Sequence, residues 1–379
     1  MIAKIICGSL IILLVVLANI SQAMTVTFQG LGDLPGGDLY SQATGISDDG
    51  STVVGYSESA LAPAEAFRWT QGPGMQPLGF LVDGSFDSRS TAVSADGSVV
   101  VGSSRSASGQ EAFRWTEASN MQGLGDLSGG IFNSIAWAVS ADGTIVAGEG
   151  STASGQEAFQ WTQSGPMQGL GFLTGGSISV ATGISADGSV IAGYGDSADG
   201  FRAFRLSGSV KDPLTPGFGM DYSVAWAVSA DGSTIVGYSG EQSPQMQEAF
   251  LWIGLTPNPL GDLPGGSTTS QALDVSGNGA IVVGFATSGS GQEAFIWDSA
   301  NSMRSLKDVL EGQYGLNLAG WTLIEATGIS ADGLTIVGNG INPTGNTEAW
   351  MVTIPEPMTL LLLGTGGLVL LKRRRSWRS

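Results

Sequence analysis

The chain has 379 residues, of which only 13% are charged; its formal net charge is −18 and it contains no histidine. So acidic a surface repels nucleic acid and anionic lipid, which excludes both as partners of the folded body. The 59 glycines and the 42% hydrophobic content exclude a disordered chain, because disorder requires low hydrophobicity. They favour many short strands joined by tight turns.

The first 23 residues have the features of a secretory signal peptide. Lys4 supplies a positive charge, residues 5–20 form an apolar stretch, and Ser21-Gln22-Ala23 places small residues where a signal peptidase requires them. We expect cleavage after Ala23. The only cysteine, Cys7, would be lost with this piece. A Cys or His nucleophile or base is then excluded, as is a zinc site built on those ligands, and we predict no metal or cofactor.

Residues 24–354 repeat one unit seven times, with a period of about 46 residues. We number the units 1 to 7 by the turn glycine of a Ser-Ala-Asp-Gly-Ser stretch that recurs in each of them. These glycines are Gly50, Gly97, Gly143, Gly188, Gly232, Gly279 and Gly333. An aromatic residue of a Glu-Ala-Phe-Arg-Trp stretch follows in each unit, at Phe67, Phe113, Phe159, Phe204, Phe250, Phe295 and Trp350. A Leu-Gly-Asp-Leu-Pro-Gly-Gly stretch separates the units, starting at Leu31, Leu78, Leu124, Leu170, Leu214, Leu260 and Leu306.

Each unit has room for four short strands. In unit 1 these are residues 41–47, 52–57, 65–70 and 75–79, and the Asp-Gly turn after the first strand favours a tight hairpin. The first strand carries a small residue in six units, which suits the innermost strand of a crowded ring; Asp274 is the exception. The second strand has a glycine in every unit, which indicates close backbone approach or a bulge. The Phe and Trp of the third strand are expected to fill the gap between neighbouring units.

The two ends of the repeat region are complementary. The chain after the signal peptide starts with a sequence typical of a fourth strand, and the last unit stops after its third strand. The N-terminal strand can therefore complete the last unit. We predict an all-β fold, a seven-bladed β-propeller built from seven repeats and closed by the N-terminal strand, since closure removes edge strands. An open β solenoid is the alternative, and it would need two capped ends.

The repeats resemble the HAF family of extracellular repeats over most of residues 28–354. The resemblance rests on the Ala-x-Gly-Ile-Ser run before Asp-Gly, on Val-Val-Gly, on x-Ala-Phe-x-Trp and on Leu-Gly-Asp-Leu-Pro-Gly-Gly. Where the family has His, this chain has Glu65, Glu111, Glu157, Glu248, Glu293 and Glu348, with Arg202 in one unit. Any role of that His cannot be transferred, and the family implies export but no reaction.

The last 25 residues combine Pro355-Glu356-Pro357, a short apolar segment at 358–371, and the basic cluster Lys372, Arg373, Arg374 and Arg375. The apolar segment is shorter than the roughly 20 residues that a spanning helix needs, and the basic cluster would hold its end in the cytoplasm. This order of parts resembles the PEP-CTERM sorting signal. The resemblance implies recognition by an exosortase-type membrane peptidase, cleavage near the Pro-Glu-Pro, and delivery to a bacterial surface or matrix. A permanent C-terminal anchor is the alternative.

The repeated glutamates and the turn aspartates are candidate ligands for a hard cation, but one copy per unit would lie far apart, so we expect them to accept hydrogen bonds within the fold. The loops that enter the first strand and leave the second should emerge on one face. That face carries residues that do not repeat, and we predict that they contact a ligand: Tyr40, Phe86, Asp87, Arg89, Phe132 and Tyr222, with Asp221 beside them.

The sequence therefore predicts an exported, non-catalytic protein of the cell surface or extracellular matrix. Its propeller loops would bind a glycan or a protein partner, such as an extracellular polysaccharide of a biofilm, and the membrane would be involved only through the tail before cleavage. The alternative is a carbohydrate-active or other hydrolytic propeller enzyme, for which Asp274 is the one unusual acid.

Overall fold

A computed structural model describes residues 26–217, 219–241 and 246–355. Residues 28–352 form one compact unit, and the architecture is all-β. Four antiparallel strands follow one another along the chain in units 1 to 6, as the alternation of β-rich stretches and Asp-Gly turns predicts.

Units 1 to 3 contain twelve strands. They are β2 (Ser41–Ile46), β3 (Thr52–Ser57), β4 (Glu65–Thr70), β5 (Gly74–Pro77), β6 (Ser88–Val93), β7 (Val99–Arg105), β8 (Gln110–Thr116), β9 (Asn120–Gly123), β10 (Gly129–Val139), β11 (Ile145–Thr152), β12 (Gly155–Thr162) and β13 (Gln168–Gly169). The sheets of units 2 and 3 are joined by a parallel pair between Gln110 and Asn133.

Units 4 to 6 repeat the same order. Their strands are β14 (Ser179–Ile184), β15 (Val190–Gly195), β16 (Arg202–Ser207), β17 (Val210–Leu214), β18 (Tyr222–Val228), β19 (Thr234–Glu241), β20 (Met246–Ile253), β21 (Thr256–Gly261), β22 (Ser270–Val275), β23 (Ile281–Ser288), β24 (Gly291–Asp298) and β25 (Ser302–Ser305).

Unit 7 combines the two ends of the repeat region. Its sheet has the order β1-β28-β27-β26, from the strands β1 (Thr27–Gly30), β26 (Thr322–Ile329), β27 (Thr335–Ile341) and β28 (Thr347–Thr353). The insertion before this unit forms helix α1 (Leu306–Tyr314), which begins at the N-cap Ser305 and ends at Gly315 in the left-handed conformation.

Apolar side chains are buried between consecutive sheets. One cluster joins Val54 and Ala66 of unit 1 to Val100 and Phe113 of unit 2, and another joins Phe67 of unit 1 to residues of unit 7. The phenylalanines of the third strands are nearly inaccessible to solvent, as their predicted role between units requires.

The glycine of each second strand lies against backbone, which confirms the expected close approach. A Cβ on Gly55 would lie 1.9 Å from the carbonyl oxygen of Gln42 and 2.9 Å from the Phe67 ring. Only glycine leaves room for both the first strand and the aromatic ring of the third strand.

Buried serines link six of the seven third strands to the next unit, a feature that sequence reasoning missed. The Ser88 hydroxyl accepts a hydrogen bond from the N–H of Ala66 (2.9 Å) and donates one to the carbonyl of Gly79 (2.8 Å). The same arrangement recurs at Ser134, Ser179, Ser223 and Ser270, and at Ser41, which accepts from Ala349 of unit 7.

Backbone hydrogen bonds also run from turn to turn. In order, the pairs are Asp49 N to Ala95 O, Ala95 N to Ala141 O, Ala141 N to Ala186 O, Ala186 N to Ala230 O, Ala230 N to Gly277 O, Gly277 N to Ala331 O, and Ala331 N to Asp48 O. Each pair joins one unit to the next, and the last joins unit 7 to unit 1.

Candidate functional site

The first strands of all seven units line one cavity of about 450 Å³, which we call the central cavity. A β-bulge interrupts the pairing of each first strand with its second strand, for example between Ala43 and Gly45. A bulge re-aims the side chain of the extra residue. Because the bulge recurs in every unit, the seven extra residues occupy equivalent places beside the cavity.

Four of the seven bulged residues are threonines that bind the neighbouring unit. Thr44, for instance, donates a hydrogen bond from its hydroxyl to the carbonyl of Ser90 at 2.9 Å. The other three bulged residues are Trp137, Trp226 and Leu273, which line the central cavity without this bond. The bulges of units 3, 5 and 6 therefore present large side chains where the repeat pattern has a small polar one.

Asp274 also lines the central cavity. Its carboxylate accepts hydrogen bonds from the backbone N–H groups of Val275 and Ile329, both at 2.8 Å. Burial raises the pKa of Asp274 and the two hydrogen bonds lower it; burial has the larger effect, and the pKa is raised to about 7. Asp48 lines the same cavity, and burial raises the pKa of its carboxyl group as well. Asp274 is thus a candidate proton donor or acceptor near neutral pH.

A second cavity, of about 420 Å³, lies beside the Trp226 bulge. We call it the aromatic cavity; its lining residues are Tyr194, Phe201, Tyr222, Val224, Trp226, Tyr238 and Glu241. They come from the second strand of unit 4, the loop after it, and the first two strands of unit 5. Five aromatic rings and one carboxylate from two neighbouring units therefore line one open space.

Neighbouring rings of the aromatic cavity meet at angles between 31° and 87°. Tyr194 contacts Trp226 with ring centroids 5.8 Å apart at 76°, and Tyr222 contacts Tyr238 at 6.0 Å and 87°. Trp226 and Tyr238 are 6.4 Å apart at 31°. Burial, with the neighbouring Tyr222 and Tyr194, raises the pKa of Tyr238 to about 12. The phenol is therefore neutral at physiological pH.

Tyr222 is held in place by polar and steric contacts. Its hydroxyl accepts a hydrogen bond from the Gln247 side chain at 3.2 Å, and Gln247 in turn accepts one from Gln271 at 2.8 Å. The ring crosses Gly240, where an added Cβ would lie 2.5 Å from the phenol oxygen. A glycine at this position is required for the tyrosine to reach the cavity.

The predicted loop-face residues form two groups rather than one. Tyr40 contacts Tyr56 at 6.3 Å, and the Arg89 guanidinium lies 4.9 Å from the centroid of the Tyr56 ring. Asp87 pairs with Arg89 at 3.7 Å, with both side chains largely exposed. Tyr222 belongs to the aromatic cavity. The structure thus brings Tyr40, Asp87 and Arg89 together and places Tyr222 in a separate site.

The remaining loop-face residues do not join either group. Phe86 is 60% exposed and contacts Phe80 at 5.2 Å. Phe132 is half-buried, and its carbonyl oxygen lies where a side chain on Gly109 would be. Asp221 is exposed, and its carbonyl accepts a hydrogen bond from Arg202. Hydrogen bonds between the loops, such as Arg105 N to Asp87 O, confirm that the loops entering the first strand and leaving the second lie together.

The repeated acids have the roles expected of hydrogen-bond acceptors. Glu111, Glu157 and Glu348 accept from the backbone N–H groups of Gly125, Gly171 and Gly32 at 2.8–3.0 Å. The turn aspartates accept from the serine two residues earlier and from the backbone N–H two residues later, as Asp96 does from Ser94 and Ser98. These bonds lower the pKa of Asp96.

Several predicted sites lie outside the part of the chain that the structure describes. These are Ala23, Glu356, Pro357, the apolar segment 358–371 and the basic cluster 372–375. Within the described ranges, no helix has the length and apolar character needed to cross a bilayer. The same ranges contain no group of three or more acidic, His or Cys side chains placed to hold a metal.

Sequence reasoning missed most of the aromatic cavity. Tyr194 and Tyr238 directly follow the glycine of the second strand, and Trp226 is the bulged residue of the first strand. All three positions change from unit to unit while their neighbours stay constant. A comparison of the units position by position would have identified them, because residues that vary inside a constant strand are free of the packing that fixes the repeat.

No family model matches the chain, and no curated protein matches it in sequence. Solved structures do resemble it. A prolyl endopeptidase has a TM-score of 0.54 at 12% identity, over 84% of this chain and 51% of that one. Oligogalacturonate lyase from Vibrio parahaemolyticus has a TM-score of 0.50 at 10% identity, over 88% of this chain and 98% of that one. TolB from Acinetobacter baumannii has a TM-score of 0.49 at 15% identity, over 68% of this chain and 63% of that one.

The chain spans about half the length of the prolyl endopeptidase and less than two thirds of TolB. At these identities the likeness bears on the fold alone. The part of the prolyl endopeptidase that resembles the chain is a β-propeller, which agrees with the four-stranded sheets described above. The chain thus has an all-β fold with β-propellers among its structural neighbours.

Proposed function

We propose that the chain is a seven-bladed β-propeller closed by its N-terminal strand. The pairing of β1 with β28 supports this, as does the series of turn-to-turn hydrogen bonds whose last member joins Ala331 to Asp48. The bond from Ala349 N to Ser41 supports it independently. An open solenoid would have two free ends instead.

We further propose that the protein is exported and acts by binding, with no catalytic role. The N-terminal signal-like stretch supports export, and the observation that carries the binding role is the aromatic cavity, an arrangement assembled from side chains that depart from the repeat. Aromatic residues in a concave site provide large contact areas at low entropic cost. The ligand would be a glycan, such as an extracellular polysaccharide, or a surface protein.

The test measures binding of the purified protein to the extracellular polysaccharide and surface proteins of the producing cells. We expect Trp226→Leu and Phe201→Ala to weaken binding by about tenfold or more, since an aromatic anchor that the ligand covers contributes on the order of 2 kcal/mol. Tyr314→Ala, in the distant helix α1, serves as the matched aromatic control. Binding that is equal in all three variants would exclude the aromatic cavity as the site.

A hydrolytic or other carbohydrate-active propeller is the alternative, and Asp274 favours it. A carboxyl group with a pKa of about 7 beside a cavity can serve as a general acid or base. Two neighbours are named as enzymes, a lyase and an endopeptidase. Turnover of extracellular polysaccharides that disappears in Asp274→Asn would support this alternative, and no turnover on any of them would remove it.

For the tail, the proposal is removal by an exosortase-type peptidase, followed by display on the cell surface or in the matrix. The order of Pro-Glu-Pro, short apolar segment and basic cluster supports it. Mass spectrometry of the protein recovered from the cell surface should find no peptide beyond about Pro357. Recovery of the intact basic cluster from mature protein would indicate permanent anchoring.

A further inference from the structure

We propose that the group entering the aromatic cavity is an organic cation, a substituted ammonium group. This inference rests on the proposed binding function and names the chemistry that the cavity recognises. Substituted ammonium groups are held by several aromatic faces at once, because the negative face of each ring attracts the positive charge.

The ring geometry favours a compact cation over a flat ligand. A flat ligand such as a sugar ring stacks on one face or between two parallel faces. In the aromatic cavity the Tyr194–Trp226 and Tyr222–Tyr238 pairs stand at 76° and 87°. The Tyr194–Phe201 and Trp226–Tyr238 pairs are tilted by 38° and 31°, so none of these pairs is parallel. Ring faces and edges therefore point into the space from several directions, which suits a group that is roughly spherical.

Two carboxylates and one guanidinium lie in or near the aromatic cavity. Glu241 lines the cavity itself. Glu149 lies close enough to Tyr194 to raise the pKa of its phenol, after the larger effect of burial. The nearby Arg202 directs its guanidinium to the carbonyl oxygens of Phe201 and Asp221. With a net charge of −18, the protein as a whole attracts cations.

Unit 1 supplies an internal precedent. Tyr56 occupies the position after the second-strand glycine, as Tyr194 and Tyr238 do, and the Arg89 guanidinium lies 4.9 Å from its ring centroid. The cation over this ring of unit 1 is part of the chain and comes from the first strand of unit 2. Among the described residues of the aromatic cavity, no lysine or arginine lies over a ring. A ligand cation would complete there the contact that unit 1 makes internally.

The test titrates the purified protein with choline and with 3,3-dimethyl-1-butanol, its neutral isostere in shape, by calorimetry. Glucosamine and glucose form a second pair that differs in one charged amine. We expect each cation to bind at least about tenfold more tightly than its neutral partner. Preference for choline over glucosamine identifies an alkylammonium source, and the reverse identifies an amino sugar; both outcomes support the inference.

Variants separate this inference from the binding function. Glu241→Gln should weaken cation binding severalfold, and Phe201→Ala, which alters a ring that is 40% exposed, should do so without unfolding the protein. Trp226→Leu should abolish it, while Tyr314→Ala should leave it unchanged. Equal binding of charged and neutral partners, or no binding of either cation, would overturn the inference. Polysaccharide or protein binding that still depends on Trp226 would then leave the proposed function standing.

Discussion

The closure of the ring can be tested at Ser41, which joins unit 1 to unit 7. Its side chain is fully buried; the hydroxyl accepts a hydrogen bond from Ala349 N–H at 3.1 Å and donates one to the carbonyl of Gly32 at 2.6 Å. Ser41→Ala removes both bonds and leaves a buried N–H without its acceptor.

The size of the effect follows from those two bonds. An unsatisfied buried backbone group costs about 1–3 kcal/mol, so we expect the free energy of unfolding to fall by about 2 kcal/mol. Ser134 makes the same two contacts inside the repeat array, with Ala112 N–H at 2.9 Å and the carbonyl of Gly125 at 2.6 Å. If the ring is closed, Ser134→Ala should cost the same amount, because no unit is then an end.

The assay is equilibrium unfolding in urea followed by tryptophan fluorescence, for the wild type, Ser41→Ala and Ser134→Ala. Ser119→Ala, in an exposed turn, is the control and should change stability by less than about 0.5 kcal/mol. A full effect at Ser134 with none at Ser41 would mean that unit 1 does not contact unit 7 in solution, and the closed ring would be refuted.

Three further predictions concern the strands, the turns and the central cavity. Gly148→Ala places a Cβ 2.0 Å from the carbonyl oxygen of Ile135 and should cost about 3 kcal/mol in urea unfolding, whereas Gly312→Ala, with no atom within 4 Å of the new carbon, should stabilise α1 by about 0.5–1 kcal/mol; equal effects would contradict the close approach. Hydrogen bonds lower the pKa of Asp187 to about 2, so its stabilising contribution is present above pH 4 and is lost as the pH falls toward 2; the thermal midpoint of Asp187→Ala should fall less steeply than that of the wild type across this window. The pKa of Asp274 is raised to about 7, so the folded protein holds a proton between pH 4 and 7 that the unfolded chain releases. Wild-type stability relative to Asp274→Asn should therefore decrease as the pH rises through that window, and a constant difference between the two melting temperatures would show that Asp274 titrates normally.

The repeat pattern was informative because each unit solves the same packing problem. The glycine of the second strand, the Phe of the third strand and the Asp-Gly turn recur for steric reasons that act locally or between adjacent strands, as at Gly55 and Phe67. The four-stranded unit, the all-β class and the hydrogen-bonding role of the repeated glutamates could therefore be predicted and are confirmed in the structure.

The linking serines could have been found in the sequence but were not. Ser41 and its equivalents recur in six units at the start of the first strand, yet serine is common in loops and its repetition carries no obvious chemistry. Each of these serines accepts a hydrogen bond from the N–H of an alanine in the preceding unit, 21 or 22 residues earlier in most cases, and this bond is their structural role. The sequence shows the recurrence, and the pairing becomes visible only when the units are stacked.

The aromatic cavity shows most clearly which features the sequence determined and which depend on the tertiary structure. By itself, the sequence determined the repeating four-stranded unit and its Asp-Gly turns, because those depend on neighbours along the chain. It did not determine that Tyr194 of one unit and Trp226 of the next face a common cavity, or that Tyr222 joins them while Tyr40 contacts Arg89 through Tyr56. Those contacts depend on the bulge that turns Trp226 and on the angle between two sheets, and both are set by packing between residues distant in the chain.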